Sequence, residues 1–284
     1  MTHALKPLIF SVLIAVCMSS SHAETPAHTH PITLGHGLDL QSGILKQTRR
    51  INIYLPPSYE GGEKRYPVLY MPDGGVGEDF IHIAGIASLA ADFRNIREFI
   101  VVGVENIDRY RDLFPPSVAE IPYERLKSAG GSKKFRAFLR DELMPYIEAH
   151  YRTSDEKLLM GESAAGLFVL ETLFMEPGLF GSYIAISPAM WWDDQALAKA
   201  TPKLLRDNPA PAGTRLFLTI ANEGSHGEIG AAMRTGTDKV ADALSKHSTT
   251  TIDWTYDPME EESHGTIFHP AALQAIRLFL RTNR

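Results

Sequence analysis

The spacing of apolar positions divides the chain into short β-type runs and longer stretches of helical period. From Pro31 onward the β-type runs come first. Arg50 to Leu55 alternates polar and apolar residues in the manner of a half-exposed strand, and the Pro56-Pro57 pair stops it. Tyr66 to Met71 and Phe99 to Val104 are continuous apolar runs rich in valine and isoleucine, the pattern of parallel strands covered on both faces. Between Ser132 and His150, Phe135, Phe138, Leu139, Leu143, Tyr146 and Ile147 recur at spacings of three and four, which predicts a helix that Pro145 should kink. Further strands are predicted at Lys157 to Met160, Tyr183 to Ser187, Leu216 to Ala221 and Thr251 to Tyr256, with helices centred near Val169, Ala196, Val240 and Ala275. Strands alternating with helices predict the α/β class: a mostly parallel, doubly wound sheet with antiparallel N-terminal strands.

The first segment breaks this pattern. Lys6 supplies a short positive region, Pro7 to Met18 is apolar but too short to span a bilayer, and Ser21-His22-Ala23 approximates a small-x-small cleavage site. These features predict a signal peptide over residues 1–23, cleavage after Ala23, and a periplasmic or secreted protein. A lipoprotein signal at Cys17 is disfavoured because Val16, before the cysteine, is not small. Residues 24–32 then read as a polar tail and 33–284 as one catalytic domain, since no repeat, low-complexity tract or composition break divides them. Cys17 is the only cysteine, so the mature chain would form no disulfide. With 284 residues, 44% of them hydrophobic, a large core can form without one. A net charge of −6 spread over interspersed acids and bases offers no basic stripe to a nucleic acid, and no other stretch is long and apolar enough to span a membrane.

Chemistry concentrates at Leu158-Leu159-Met160-Gly161-Glu162-Ser163-Ala164-Ala165-Gly166, which leads directly into the apolar helix Leu167 to Met175. A strand, a tight turn carrying serine between small residues, then a helix is a nucleophile elbow. The serine backbone there is strained, and residues two positions away must be small for strand and helix to approach. Gly161 meets that need; Ala165 stands where glycine is usual. The amide of Ala164, at a helix N-terminus, is placed to face an oxyanion.

A triad on such a scaffold runs serine, then acid after a later strand, then histidine near the C-terminus. His264 follows the last predicted strand in a polar loop and precedes the final helix, and an imidazole can take and return the serine proton near neutral pH. His226 and His269 are rivals; His226 falls where the acid belongs and His269 begins a helix. Glu223, closing the strand from Leu216, is the candidate acid, with Glu228, Glu262 or a Ser/His dyad without a close acid as alternatives. Gly74 and Gly75, after the Tyr66 to Met71 strand, are candidates for the second oxyanion amide beside Ala164. Neither the phosphate-loop nor the dinucleotide spacing is met there or at Gly130-Gly131. His28 and His30 form a lone His-x-His, too little to define a metal site, and no cofactor is expected.

From about Arg50 to the C-terminus the chain resembles the esterase D/enterochelin-esterase-like group of α/β-hydrolases. The resemblance rests on Asn52-Ile53-Tyr54-Leu55-Pro56-Pro57-Ser58-Tyr59, on Tyr66 to Gly74 (YPVLYMPDG) and on Asp108-Arg109-Tyr110-Arg111-Asp112. It extends through Glu142 to Ile147 (ELMPYI), Gly161-Glu162-Ser163, Ser187 to Trp192 (SPAMWW) and Ser263-His264-Gly265. It implies an α/β-hydrolase fold and serine esterase activity on a small-molecule ester, with Ser163 and His264 as the catalytic pair. The group includes hydrolases of catecholate siderophore trilactones, some of them periplasmic, and also feruloyl and short-acyl esterases. Arg109 and Arg111 are candidate contacts for an anionic or phenolic substrate, and Trp191 and Trp192 for an aromatic acyl group; the alternatives are an ion pair with Asp112 and ordinary packing. Two readings outside hydrolysis are an acyltransferase using the same serine and histidine, and a binding protein that keeps the fold without chemistry.

Overall fold

The computed structural model describes residues 30–93, 95–121, 123–247 and 251–282. The expected signal peptide and His28 lie outside them. All elements below belong to the compact unit Thr33–Arg284. A hairpin of β1 (His36–Ser42) and β2 (Gln47–Tyr54) opens the chain, followed by β3 (Tyr66–Pro72), helix α1 (Phe80–Phe93), β4 (Ile100–Val104) and the short α2 (Arg109–Leu113). Then come α3 (Ser132–Phe138), α4 (Met144–His150), β5 (Thr153–Glu162) and α5 (Ala164–Met175). The C-terminal part supplies β6 (Ser182–Ile186), α6 (Trp192–Asp207), β7 (Thr214–Thr219), β8 (Ala221–Asn222), α7 (Gly227–His247), β9 (Ile252–Tyr256), β10 (Met259–Ser263) and α8 (Phe268–Phe279).

Eight strands form one sheet in the order β1-β2-β4-β3-β5-β6-β7-β9. β1 with β2 and β2 with β4 are antiparallel; every later pair is parallel. The two-residue period of a strand sends alternate side chains to opposite faces. In β3, Tyr66, Val68 and Tyr70 enter the core shared with α3 to α7, whereas Leu69 and Met71 enter the core shared with α1 and α8. Helices on both faces make this the doubly wound α/β-hydrolase arrangement that the sequence pattern predicts, antiparallel start included. The carboxyl ends of β3 and β5, which are neighbours, bring the Gly74-Gly75 turn beside the Ser163 turn.

Three local features differ from the expectation or sharpen it. The predicted long helix is interrupted before Pro145: residues Leu139–Leu143 form a π-helical turn between α3 and α4. The ring of Pro145 clashes with the carbonyl four residues back in a regular helix and has no N–H to donate, and one wide turn absorbs both effects. Helix α1 has no sequence forecast because FIHIAGIASLAADF is apolar on nearly every side and carries no readable stripe. Strand β10 is likewise unforeseen, since Met-Glu-Glu-Glu-Ser reads as a solvated acidic loop; it pairs in parallel with β8, outside the main sheet.

Candidate active site

Ser163 directly follows β5 with φ 58° and ψ −114°, a conformation L-residues adopt only under constraint. Its amide donates to the Ile186 carbonyl at 3.0 Å, and its own carbonyl accepts the amides of Leu167 and Ala189, each at 2.9 Å. β6 and the turn after it therefore hold the strained residue from one side and α5 from the other. A side chain on Gly161 would stand 2.5 Å from the Ala165 methyl and 2.7 Å from the Ala165 carbonyl carbon, so the alanine at the unusual position fits because Gly161 presents nothing to it.

The candidate base and its candidate acid meet through the small β8–β10 pair. Ser263 is the register partner of Asn222, so the residue just past each strand, His264 and Glu223, emerges side by side. His264 Nδ1 lies 3.1 Å from Glu223 Oε1. Glu223 is buried, 4% exposed, and its Oε2 accepts no hydrogen bond, with His226 Nδ1 at 3.6 Å. Burial pulls the His264 imidazole toward its neutral form, but the hydrogen bond and charge of Glu223, with the charge of Glu162, outweigh burial and the opposing Arg109, so its pKa stands above the ordinary histidine value. Glu228 lies in the first turn of α7 and Glu262 on β10; the geometry brings Glu223, not these, to the imidazole.

Glu162, directly before the nucleophile, carried no assignment in the sequence. Its Oε1 is buried without a hydrogen-bond partner. Burial pushes this carboxyl up to about 7; Asp79 and Asp73 add to the rise, and His264 and Arg109 oppose it. Asp79 is itself raised to about 6, by burial first and by the charges of Asp73 and Glu78. The only sequence signal for this carboxylate cluster is the position of Glu162 beside the serine; Asp73 and Asp79 are distant from it along the chain.

Packing gives several other residues singled out in the sequence their own partners. The Gly74 amide donates to the Val104 carbonyl at 3.0 Å, so it is committed to the edge of β4. The Gly75 amide donates to Glu78 Oε2 at 2.7 Å, so it too is engaged. Ala164, at the first position of α5, has no earlier carbonyl within its helix to bond, as expected at a helix N-terminus. Arg109 directs Nε and Nη2 to the two carboxylate oxygens of Asp73, at 2.6 and 2.7 Å, and Nη2 also to the Glu162 carbonyl at 3.3 Å. Arg111 binds Asp112 at 2.8 Å and Gln47 at 3.0 Å. Both guanidinium groups thus direct their Nε and Nη2 donors to internal acceptors. Trp192 is buried, stacked on Phe114 at 4.4 Å, and its Nε1 donates to the Pro115 carbonyl at 3.0 Å, which makes it a core residue. Trp191 stays partly exposed and touches Phe114 edge-on. His269 pairs with His82, ring centroids 4.2 Å apart, and not with the Glu223–His264 couple. His30 is exposed. Among the described residues no group of three or more His, Cys, Asp or Glu side chains is arranged to hold a metal ion, and no helix is long and apolar enough to cross a membrane.

A family model described as "Putative esterase" matches residues 42–257. The ferri-bacillibactin esterase BesA of Bacillus subtilis is 28% identical over 173 residues, 55% of this chain and 59% of that protein. The siderophore enterobactin esterase of Emericella nidulans is 34% identical over 98 residues, 31% of this chain and 32% of that protein. These alignments span less than two thirds of either curated esterase. Among solved structures, an IroE-like serine hydrolase from Shewanella oneidensis is 27% identical with a TM-score of 0.78, covering 87% of this chain and 80% of that one.

Proposed function

Because the chain belongs to the Esterase family, we propose that it is a carboxylic ester hydrolase that cleaves its ester through an acyl-enzyme on Ser163, with His264 as general base and acid and Glu223 as the orienting carboxylate. The observation that carries this reading is the 3.1 Å approach of His264 Nδ1 to Glu223 Oε1. A proton on Nδ1 donated to the carboxylate leaves Nε2 as the acceptor for the serine proton.

Ser163 Oγ adds to the acyl carbonyl as Nε2 takes its proton, and the Ala164 amide receives the developing oxyanion. Collapse expels the alcohol with a proton from the imidazolium, and water, deprotonated by His264, then releases the acid and restores Ser163. The relatives support a siderophore-type ester as the substrate class, with catecholate trilactones foremost. The export segment read from the sequence supports a periplasmic or secreted location for this chemistry.

The test is release of p-nitrophenol from short-chain and aromatic acyl esters by wild type, Ser163→Ala and His264→Ala, followed by hydrolysis of a catecholate trilactone. Turnover by wild type and its loss in both folded variants supports the mechanism. An inert wild type, or undiminished turnover by Ser163→Ala, would sink it. Trilactone left intact by an otherwise active enzyme removes the siderophore assignment alone.

A further inference from the structure

Arg109 stands at the start of α2, just beyond the carboxyl end of β4, yet its donors point into the protein. It grips both oxygens of Asp73 in the two-pronged manner of a guanidinium on a carboxylate, and the same Nη2 reaches the Glu162 carbonyl. Asp73 has φ 55° and opens the Gly74-Gly75 turn; Glu162 precedes Ser163, with φ 58°. Asn106 Nδ2 supports the same Asp73 oxygen at 2.5 Å, and the Asp73 carbonyl accepts the Asp79 amide at 3.0 Å. One side chain therefore ties together two turns whose backbones are each strained, the one carrying Ser163 and the one that Asp73 opens.

We propose that Arg109 is a positioning residue of the hydrolase, clamping the β3 turn to the nucleophile elbow, and that it does not bind substrate. A left-handed non-glycine residue persists only where its surroundings fix it. Loss of the clamp lets Asp73 relax and moves the Gly74-Gly75 turn relative to Ser163. Lysine keeps the charge but presents a single ammonium in place of a planar fork, so it cannot span two carboxylate oxygens and a carbonyl with the same geometry.

This inference rests on Ser163 being the nucleophile, so Ser163→Ala is assayed alongside; activity that survives in that variant defeats the mechanism, independently of the clamp. Arg109→Lys, Arg109→Ala and Asp73→Asn are compared on two esters of one leaving group, one with a neutral acyl chain and one with an acyl chain ending in a carboxylate. The expected result for Arg109→Lys and Asp73→Asn is a fall in kcat of about 10- to 100-fold, equal for both esters, with KM within about twofold of wild type. The pH profile gives a second readout. The groups bearing on His264 are Glu223, Glu162 and Arg109, with the His226 ring 5.0 Å away. Arg109 disfavours the imidazolium, so Arg109→Ala should move the acid limb to higher pH while Arg109→Lys leaves it in place. A rise in KM confined to the anionic ester would make Arg109 a substrate contact and overturn the proposal. So would wild-type kcat in folded Arg109→Lys and Asp73→Asn, whatever happens to their melting temperatures. Asp73→Asn keeps the question answerable if Arg109→Ala does not fold.

Discussion

His264 Nδ1 and Glu223 Oε1 stand 3.1 Å apart although 41 positions of sequence separate the two residues. What joins them is the short parallel pair β8–β10, in which Ser263 faces Asn222. The hydrogen bond favours one imidazole tautomer, and the buried carboxylate favours the imidazolium that the proposed acylation would form.

Replacing Glu223 by glutamine is expected to lower kcat by roughly 10²- to 10⁴-fold, in the range seen when a triad acid becomes an amide. The pH profile of kcat/KM supplies the sign. His264 must be neutral to act as base, and Glu223 raises its pKa. The residual activity of Glu223→Gln should therefore have its acid limb at lower pH than wild type. An acid limb that does not move would show that Glu223 does not bear on the base.

Glu162 makes a stability prediction. Its folded pKa, about 7 against 4.5 for an ordinary glutamate, means the folded protein holds this proton more tightly than the unfolded chain does. Stability from this group is full below the unfolded value and is lost as pH rises through about 7. Glu162→Gln should thus raise the melting temperature at pH 8, by about 2–4 °C per kcal/mol relieved, and change it little near pH 4. Equal effects at both pH values in thermal melts would contradict the assignment.

Gly230, in the first turn of α7, lies against the acid: a methyl group there would meet the Glu223 carbonyl oxygen at 1.9 Å. Gly230→Ala should cost about 1–3 kcal/mol, the usual range for overpacking, and lower kcat as well, because the helix can relieve the clash only by displacing Glu223. Urea unfolding paired with steady-state kinetics measures both. A destabilised variant with full kcat would separate the packing from the acid's position.

At the elbow, Gly161→Ala should be destabilising, and adding Ala165→Gly should not restore it. The introduced carbon meets the Ala165 backbone at 2.7 Å as well as its methyl at 2.5 Å, and only the methyl can be removed. Full recovery of stability in the double variant would show that the methyl alone was the obstacle.

Asp193 begins a run of three left-handed residues, Asp193 to Gln195, at the start of α6. Its Oδ1 accepts from the Ser117 hydroxyl and from the Val118 and Ala119 amides at 2.8–2.9 Å. Asp193→Ala should release the 117–121 loop and hasten limited proteolysis there by several-fold, since loop cleavage follows local opening. Unchanged cleavage kinetics would mean that other contacts hold the loop.

The sequence by itself determined the order and type of most strands and helices, because buried parallel strands must be apolar throughout and amphipathic helices must repeat near 3.6 residues. It also singled out the Gly161-Glu162-Ser163 elbow, where strain and close approach restrict the residue types locally. It left three carboxylates open as the partner of His264, since which one arrives depends on β8 and β10 pairing, and an acidic run such as Glu260-Glu261-Glu262 gives no sign of being a strand. It also could not tell a ligand-binding arginine from a clamped one, or an exposed tryptophan from a packed one. Arg109 and Trp192 have the right chemistry for a substrate, but Asp73 and the Pro115 carbonyl reach their donors first. The availability of a hydrogen-bonding group depends on which distant residues the fold brings within about 3 Å of it, and only the tertiary structure decides that.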